Sequence, residues 1–236
     1  MNCMIDIHTH ILPQVDDGAK DIEESLTMLK NFEQCGITAV FATSHVAPNR
    51  GFNNTKATLI NIFDTLQKRV QEAAINIKLY FGSEIDDHEK LEAIIASAPT
   101  MNNTNYVLLD FGMKKADIED ITYELKIRNI KTIVAHPERY TYLDIETIRR
   151  LKKQGVLFQV SAPHLIKHGR KASQKIAKQM LKEQLIDFVA SDAHHANTMN
   201  NAMQKAYDVV KKKTSLEYAE KIFIKNAETY LINNEQ

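Results

Sequence analysis

Seven short runs rich in β-branched and aromatic residues punctuate the chain, and amphipathic stretches with helical spacing lie between them. The runs are Met4–His8, Ile37–Thr43, Ile75–Phe81, Tyr106–Phe111, Ile130–His136, Val156–Val160 and Leu185–Ser191. The first helical pattern, Ile22–Cys35, places Ile22, Leu26, Leu29 and Phe32 near one face. Asp21, with Glu24 three residues later, reads as its N-terminal cap, and Gly36 as its terminator. A longer helix is expected over Thr55–Ala74, and Gly155 separates another from the sixth strand. Charge-rich helices near residues 171–184, 199–213 and 216–232 finish the chain.

Repeated β-then-α units predict parallel strands joined by right-handed crossovers. Seven such units predict an α/β fold closed into a distorted seven-stranded (β/α) TIM-like barrel, in preference to an open sheet. No Gly-rich phosphate fingerprint follows the first strand, which argues against a dinucleotide-binding fold. No linker, low-complexity run or repeat divides the chain, so residues 1–236 are read as one domain. With 44% hydrophobic residues, a chain of this size can bury a substantial core.

Composition narrows the partners. Lys plus Arg equals Asp plus Glu at 30 each, so no net field gathers polyanions, and neither nucleic acid nor a membrane surface is expected as a partner. No signal-peptide pattern and no bilayer-spanning apolar stretch appear, which makes the cytoplasm the expected compartment and excludes membrane insertion. The two cysteines, Cys3 and Cys35, fit a reducing environment. Neither has an Arg six positions later, so the phosphate loop of thiol-based phosphatases is absent.

In a barrel of this kind, chemistry sits at the C-terminal ends of the strands. Strand one closes with Asp6-Ile7-His8-Thr9-His10, where alternation puts His8 and His10 on one face, within reach of one cation. Asp17 follows in the loop. Strand two ends at His45, strand three runs into Glu84, and strand four carries Asp110. Strand five ends in His136-Pro137-Glu138-Arg139, and strand seven in Ser191-Asp192-Ala193-His194. Only the sixth strand end, at Ser161, offers no His, Asp or Glu. A lone His such as His45 is more often a scaffold residue than a ligand, and Asp110 alone reads as a turn former. Together they argue otherwise, because chance would scatter 9 histidines and 30 acids over helices and loops alike. His88 and His168 read as surface residues, while His164 and His195 are candidates for the pocket mouth.

At these residues the chain resembles a known family. IDIHTHILPQVDDGAK, ATSH, GSEI, HPERY and SDAH, in that order, resemble the PHP (polymerase and histidinol phosphatase) superfamily. Within it the resemblance is to the bacterial manganese-dependent protein-tyrosine phosphatases of capsule and exopolysaccharide operons, the CpsB/YwqE type. It runs over nearly the whole chain, and the HILP…DDG segment carries the choice of branch. It implies three Mn²⁺ ions in a distorted barrel: His8, His10, Glu84 and Asp192 on the first, Asp17, His45 and His194 on the second, and Glu84, Asp110 and His136 on the third. Arg139 is implied as the phosphate ligand. His45, His194 or Asp17 could assist by proton transfer, and the sequence does not choose among them. The implied partner is a phosphotyrosine protein, a tyrosine kinase of the polysaccharide assembly system. The N/O donor set suits iron and zinc as well as manganese.

Two departures stand out. The family usually has Glu at the position of Asp110, and tends to carry an Arg seven residues beyond Asp192, where this chain has Met199. Arg50 is a candidate substitute for the missing cation. Rival readings are a histidinol-phosphatase-like small-molecule phosphoesterase, a nuclease, an amidohydrolase and a catalytically weakened regulator that binds a phosphorylated partner. The amidohydrolase normally needs a bridging carboxylated Lys, whereas the bridging candidate here is Glu84.

Overall fold

The computed structural model describes residues 3–86, 91–197 and 201–233. Met199 and His88, on which two of the readings above fall, lie outside the described residues. The strands are β1 (Met4–Thr9), β2 (Ile37–Ala42), β3 (His45–Val46), β4 (Lys78–Phe81), β5 (Glu84–Ile85), β6 (Tyr106–Leu109), β7 (Lys131–Ala135), β8 (Leu157–Ser161) and β9 (Phe188–Ala190). The helices are α1 (Ile22–Gln34), α2 (Lys56–Glu72), α3 (Leu91–Ser97), α4 (Ile118–Ile127), α5 (Ile145–Lys153), α6 (Ala162–Leu165), α7 (Lys171–Lys182), α8 (Ala202–Lys213) and α9 (Leu216–Glu220). Beyond α9 the chain continues in two π-helical turns, Lys221–Lys225 and Glu228–Ile232.

Every strand pairing is parallel, in a ladder β1-β2-β4 and a second ladder β3-β5-β6-β7-β8-β9. The two ladders are one wall. β3 prolongs β2 and β5 prolongs β4, each after a two-residue break bridged by Glu84 N–H donating to Thr43 O (3.1 Å). The wall closes where β9 meets β1: His10 N–H donates to Ala193 O (2.9 Å) and Asp192 N–H to His8 O (3.0 Å). The expected seven strand positions therefore return in chain order around a distorted (β/α) barrel, two of them split.

Four strand starts differ from expectation, for one physical reason. Ala74, Asn129, Gly155 and Gln184 adopt left-handed φ values of 51°, 60°, 94° and 53°. The next residue then donates back five positions into the finished helix: Ile75 to Val70, Ile130 to Leu125, Val156 to Leu151 and Leu185 to Met180. The apolar residues that looked like strand starts instead close helices in a Schellman-type turn. The predicted cap of α1 is present, with Asp21 Oδ1 accepting from Glu24 N (2.8 Å).

Apolar residues pack on both faces of the strands. On one face Met4, Val40, Val134 and Val160 meet the helices through Leu29, Phe63 and Ile148. On the other, Ile7, Phe41, Leu108, Ile133 and Phe188 meet Leu231 of the C-terminal segment. This burial fixes the wall and leaves its C-terminal rim to the polar residues. Among the described residues no helix is long and apolar enough to cross a membrane.

Candidate metal centre

At the rim, β1 loses its regular register between Asp6 and Thr9. Such an irregularity re-aims side chains, and here both His8 and His10 are fully buried with their Nε2 atoms 3.3 Å apart. Each ring is turned by a partner behind it. His8 Nδ1 lies 2.9 Å from Gln159 Oε1, which also accepts from His136 N (3.2 Å). His10 Nδ1 lies 2.8 Å from Asp16 Oδ2, which also accepts from His45 N (2.8 Å). Gly18 lets that loop close: a Cβ there would sit 2.2 Å from His10 O. An acceptor at Nδ1 places the ring proton there, so both Nε2 lone pairs face the cavity.

Glu84 stands at the centre, about 1% exposed. Its Oε1 lies 2.9 Å from His136 Nε2, and its Oε2 lies 3.0, 3.2 and 3.4 Å from His45 Nδ1, His8 Nε2 and His10 Nε2. Asp192 Oδ1 is 3.5 Å from His8 Nε2 and 3.4 Å from His10 Nε2. His194 Nε2 and His45 Nε2 both lie 3.4 Å from Asp17 Oδ1, and the His194 ring stacks on His10 at 3.9 Å. Ligand-type atoms within 4.8 Å of one another thus form three groups: His8, His10 and Glu84; His10, Asp17, His45 and His194; and Glu84, Asp110 and His136. All nine sequence-predicted ligands converge here. His10 touches two groups where one was expected, and Asp110 reaches only to 4.0 Å from His136 Nδ1. Asp110 Oδ1 is instead held by Gly112 N (2.8 Å) and by the Tyr140 hydroxyl (2.9 Å).

Two candidate ligands carry backbone strain. His136 and Asp192 have φ of 31° and 54°, a region that non-glycine residues leave unless the surroundings compel them.

The electrostatics follow from packing carboxylates against imidazoles. Burial opposes protonation of His8, but Glu84 and Asp192 prevail and push it up to about 9. Burial likewise opposes protonation of His45, and Glu84 pushes it up to about 10. Burial alone would raise Glu84 and Asp192. His8 and His45 hold the first, and His8 with Arg139 the second, well below the usual carboxylate range. Burial and the charge of His10 lower His194 to about 4.

The donor set fits a bound cation. His136 Nδ1 is buried without a hydrogen-bond partner, and His45 Nδ1 and Glu84 Oε2, though only 3.0 Å apart, make no aligned hydrogen bond; poorly satisfied buried polar atoms are costly. With Nδ1–H of each ring committed to the partner behind it, the two Nε2 atoms 3.3 Å apart must share either a proton or a cation. Imidazole nitrogen and carboxylate oxygen without thiolate suit manganese, iron or zinc.

Arg139 stands at the edge of the cage in the Pro137–Arg139 turn. Its Nη2 donates to Asp192 Oδ2 and to Ser161 Oγ (3.0 Å). Arg50 lies beside Asp17, with Nη2 3.2 Å from Asp17 Oδ2 and Nη1 3.6 Å from Asp86 Oδ2. His164 and His195 are engaged elsewhere: His164 Nδ1 lies 2.7 Å from Glu138 Oε1, and His195 Nδ1 lies 3.5 Å from Glu24 Oε1. His168 and Cys3 are exposed and Cys35 is partly so.

A model of the family described as capsular polysaccharide synthesis, CpsB/CapC, matches residues 4–232. The chain belongs to that family. It is 30% identical to the tyrosine-protein phosphatase CpsB of Streptococcus agalactiae, over 98% of this chain and 99% of that protein. It is 31% identical to the tyrosine-protein phosphatase YwqE of Bacillus subtilis, over 98% of this chain and 92% of that protein. Among solved structures, one of YwqE from B. subtilis and CpsB from Streptococcus pneumoniae, described as unique metal-dependent tyrosine phosphatases, matches with TM-score 0.87 and 29% identity. That match covers 99% of this chain and 96% of the other. A histidinol phosphate phosphatase from Lactococcus lactis matches at TM-score 0.58 and 16% identity, a likeness of fold alone.

Sequence reasoning missed Asp16, Gln159, Ser161 and Tyr140. Asp16 adjoins the predicted Asp17 yet faces the other way, behind His10 and not toward the cavity. Gln159 and Ser161 carry no titratable signature, so the sixth strand end looked empty. The alternation that paired His8 with His10 pointed to Gln159 and Ser161 equally, had neutral acceptors been sought.

Proposed function

We propose that this CpsB/CapC-family chain is, as one domain, a metal-dependent phosphomonoester hydrolase acting on phosphotyrosine in proteins, with manganese as its resident cation. Its substrate is a bacterial tyrosine kinase that regulates capsular or exopolysaccharide synthesis in the cytoplasm. The observation that carries the reading is the buried cage around Glu84, bordered by Arg139, in a chain matched end to end by tyrosine phosphatases. His8, His10, Glu84 and Asp192 would hold one ion, Asp17, His45 and His194 a second, and Glu84, Asp110 and His136 a third. When bound, divalent cations supply positive charge for the phosphoryl oxygens and lower the pKa of water.

The chain's own residues do the rest. Arg139 is anchored through one nitrogen by Asp192 and Ser161, which leaves its other donors to meet a phosphate bidentately. Asp192 divides its oxygens, Oδ1 toward the histidines and Oδ2 toward Arg139, and so fixes the distance between cage and phosphate ligand. Gln159 and Asp16 keep His8 and His10 in the tautomer that aims Nε2 at the cavity. The hydrogen bond from His45 keeps Asp17 a carboxylate, and His194 is neutral near pH 7, so neither is a proton donor. A phenolate leaves comparatively readily, since tyrosine has a pKa of about 10, and a strong general acid is not required.

Turnover of a phosphotyrosine peptide, histidinol phosphate and single-stranded DNA, each with added Mn²⁺ and with chelator, tests the proposal. Peptide hydrolysis that appears with Mn²⁺ and ends with chelator supports it. Preference for histidinol phosphate, or turnover indifferent to chelator, refutes it.

A further inference from the structure

α7 presents a row of lysines on a chain whose charges balance overall. Lys171, Lys175, Lys178 and Lys182 are all exposed, while Ser173, Ala177, Met180 and Leu181 are buried on its other side. At 100° per residue the four lysines fall within an arc of about 60°, in a row about 16 Å long. The neighbouring helix α5 is also basic, but three of its four cations are matched: Arg149 by Glu146 and Glu183, Arg150 by Glu119, Lys152 by Asp187. Among the described residues no ion pair engages any of the four α7 lysines. Like charges at i and i+4 destabilise a helix, so an unmatched lysine row has a cost that an anionic partner would remove.

The row begins at the end of the barrel that carries the candidate centre. α6 leaves the C-terminal end of β8, and α7 then runs back along the barrel toward the start of β9, so Lys171 lies at the rim and Lys182 toward the base. α7 packs against the Pro137–Arg139 turn. The link is short: Glu138, next to Arg139, meets His164 at 2.7 Å, and the His164 ring abuts Gly169, whose carbonyl accepts from Gln174 of α7 (2.8 Å).

We propose that the lysine face of α7 is a docking track for an acidic stretch of the phosphoprotein substrate, several residues from the phosphotyrosine bound beside Arg139. The inference rests on the phosphatase reading above. A row of about 16 Å matches about five residues of extended chain at roughly 3.3 Å each, so the track reads a short run of Asp and Glu. Charge attraction of this exposed kind speeds encounter and selects among peptides without altering chemistry at the phosphoryl group.

The test uses the full chain with Mn²⁺, wild type and a K175E/K178E/K182E variant, on three substrates: p-nitrophenyl phosphate, a phosphotyrosine peptide with neutral flanks, and one flanked by five acidic residues. Three exposed charge pairs of ordinary strength predict that the variant loses about tenfold in kcat/KM on the acidic peptide, through KM. Turnover of the other two substrates stays within twofold, and the wild-type preference fades between 50 mM and 500 mM salt, as expected at about these ionic strengths. Equal use of both peptides by wild type, or an equal loss on all three substrates, overturns the docking track. Fluorescence anisotropy of the acidic peptide on both proteins reads the track even without turnover. An absence of hydrolysis with salt-sensitive binding would sink the phosphatase reading and leave the track standing. Equal capture of the acidic peptide by both proteins would sink the track, as would variant-sensitive binding found only with anionic vesicles or RNA.

Discussion

Asp16→Asn separates the support of the cage from its ligands. Asp16 is buried and keeps its charge because His10 and the His45 N–H hydrogen-bond to it, overcoming burial and holding it below its usual value. It accepts three hydrogen bonds: His10 Nδ1 at 2.8 Å, His45 N at 2.8 Å and Gly18 N at 3.0 Å. Asn has nearly the same shape but only one acceptor oxygen, so its NH₂ must face at least one donor. That NH₂ faces either Gly18 N–H alone or the His10 and His45 N–H groups together, and in both cases His10 Nδ1 loses the charged acceptor behind it. Loss of such a partner costs metal affinity about 10–100-fold, or about 1.4–2.7 kcal/mol. Manganese titration of the apo protein by calorimetry reads the affinity, and far-UV circular dichroism confirms that both proteins are folded. A folded Asp16→Asn protein with wild-type manganese affinity would refute the reasoning that Asp16 orients His10.

Three further outcomes follow from the same geometry. Glu84→Gln replaces the central carboxylate with a neutral group. Elemental analysis should find less than half the wild-type metal content, and full loading would remove Glu84 from the bridging role. Arg139→Ala should raise KM for a phosphotyrosine peptide at least tenfold, and Arg139→Lys should recover only part of it, because Lys cannot meet phosphate bidentately. Full recovery by Lys would contradict that geometry. Finally, His8 and His45 are pushed up to about 9 and about 10 in the ion-free site and so carry protons near neutral pH. A cation must displace them, so apparent manganese affinity should rise with pH between about 6 and 8.5, with proton release measurable in buffers of different ionisation enthalpy. A pH-independent affinity without proton release would disprove the linkage.

Much of this was legible in the sequence, because the rules involved are local. Strand alternation paired His8 with His10, Asp21 and Glu24 marked the start of α1, and six strand ends carried their His, Asp or Glu. What stayed hidden depends on how separate segments meet. Nothing local distinguishes Asp16 from Asp17. Only the packing of Gly18 against His10 turns one carboxylate behind the ring and leaves the other toward His45 and His194. Strand starts slipped where helix-closing apolar residues such as Ile75 and Leu185 imitate the first residue of a strand. Asp110 looked merely one methylene short. Its hold by Tyr140, whose hydroxyl also lies 2.7 Å from Ala135 O, depends on a turn formed 30 residues away.

Anomalous diffraction at the manganese edge, from crystals of the full chain soaked in Mn²⁺, bears most directly on the cage. The expected result is peaks within coordination distance of Glu84, shared with His8 and His10 on one side and His136 on the other, and absent after chelation. Peaks confined to surface carboxylates, with the space around Glu84 free of metal, would contradict it.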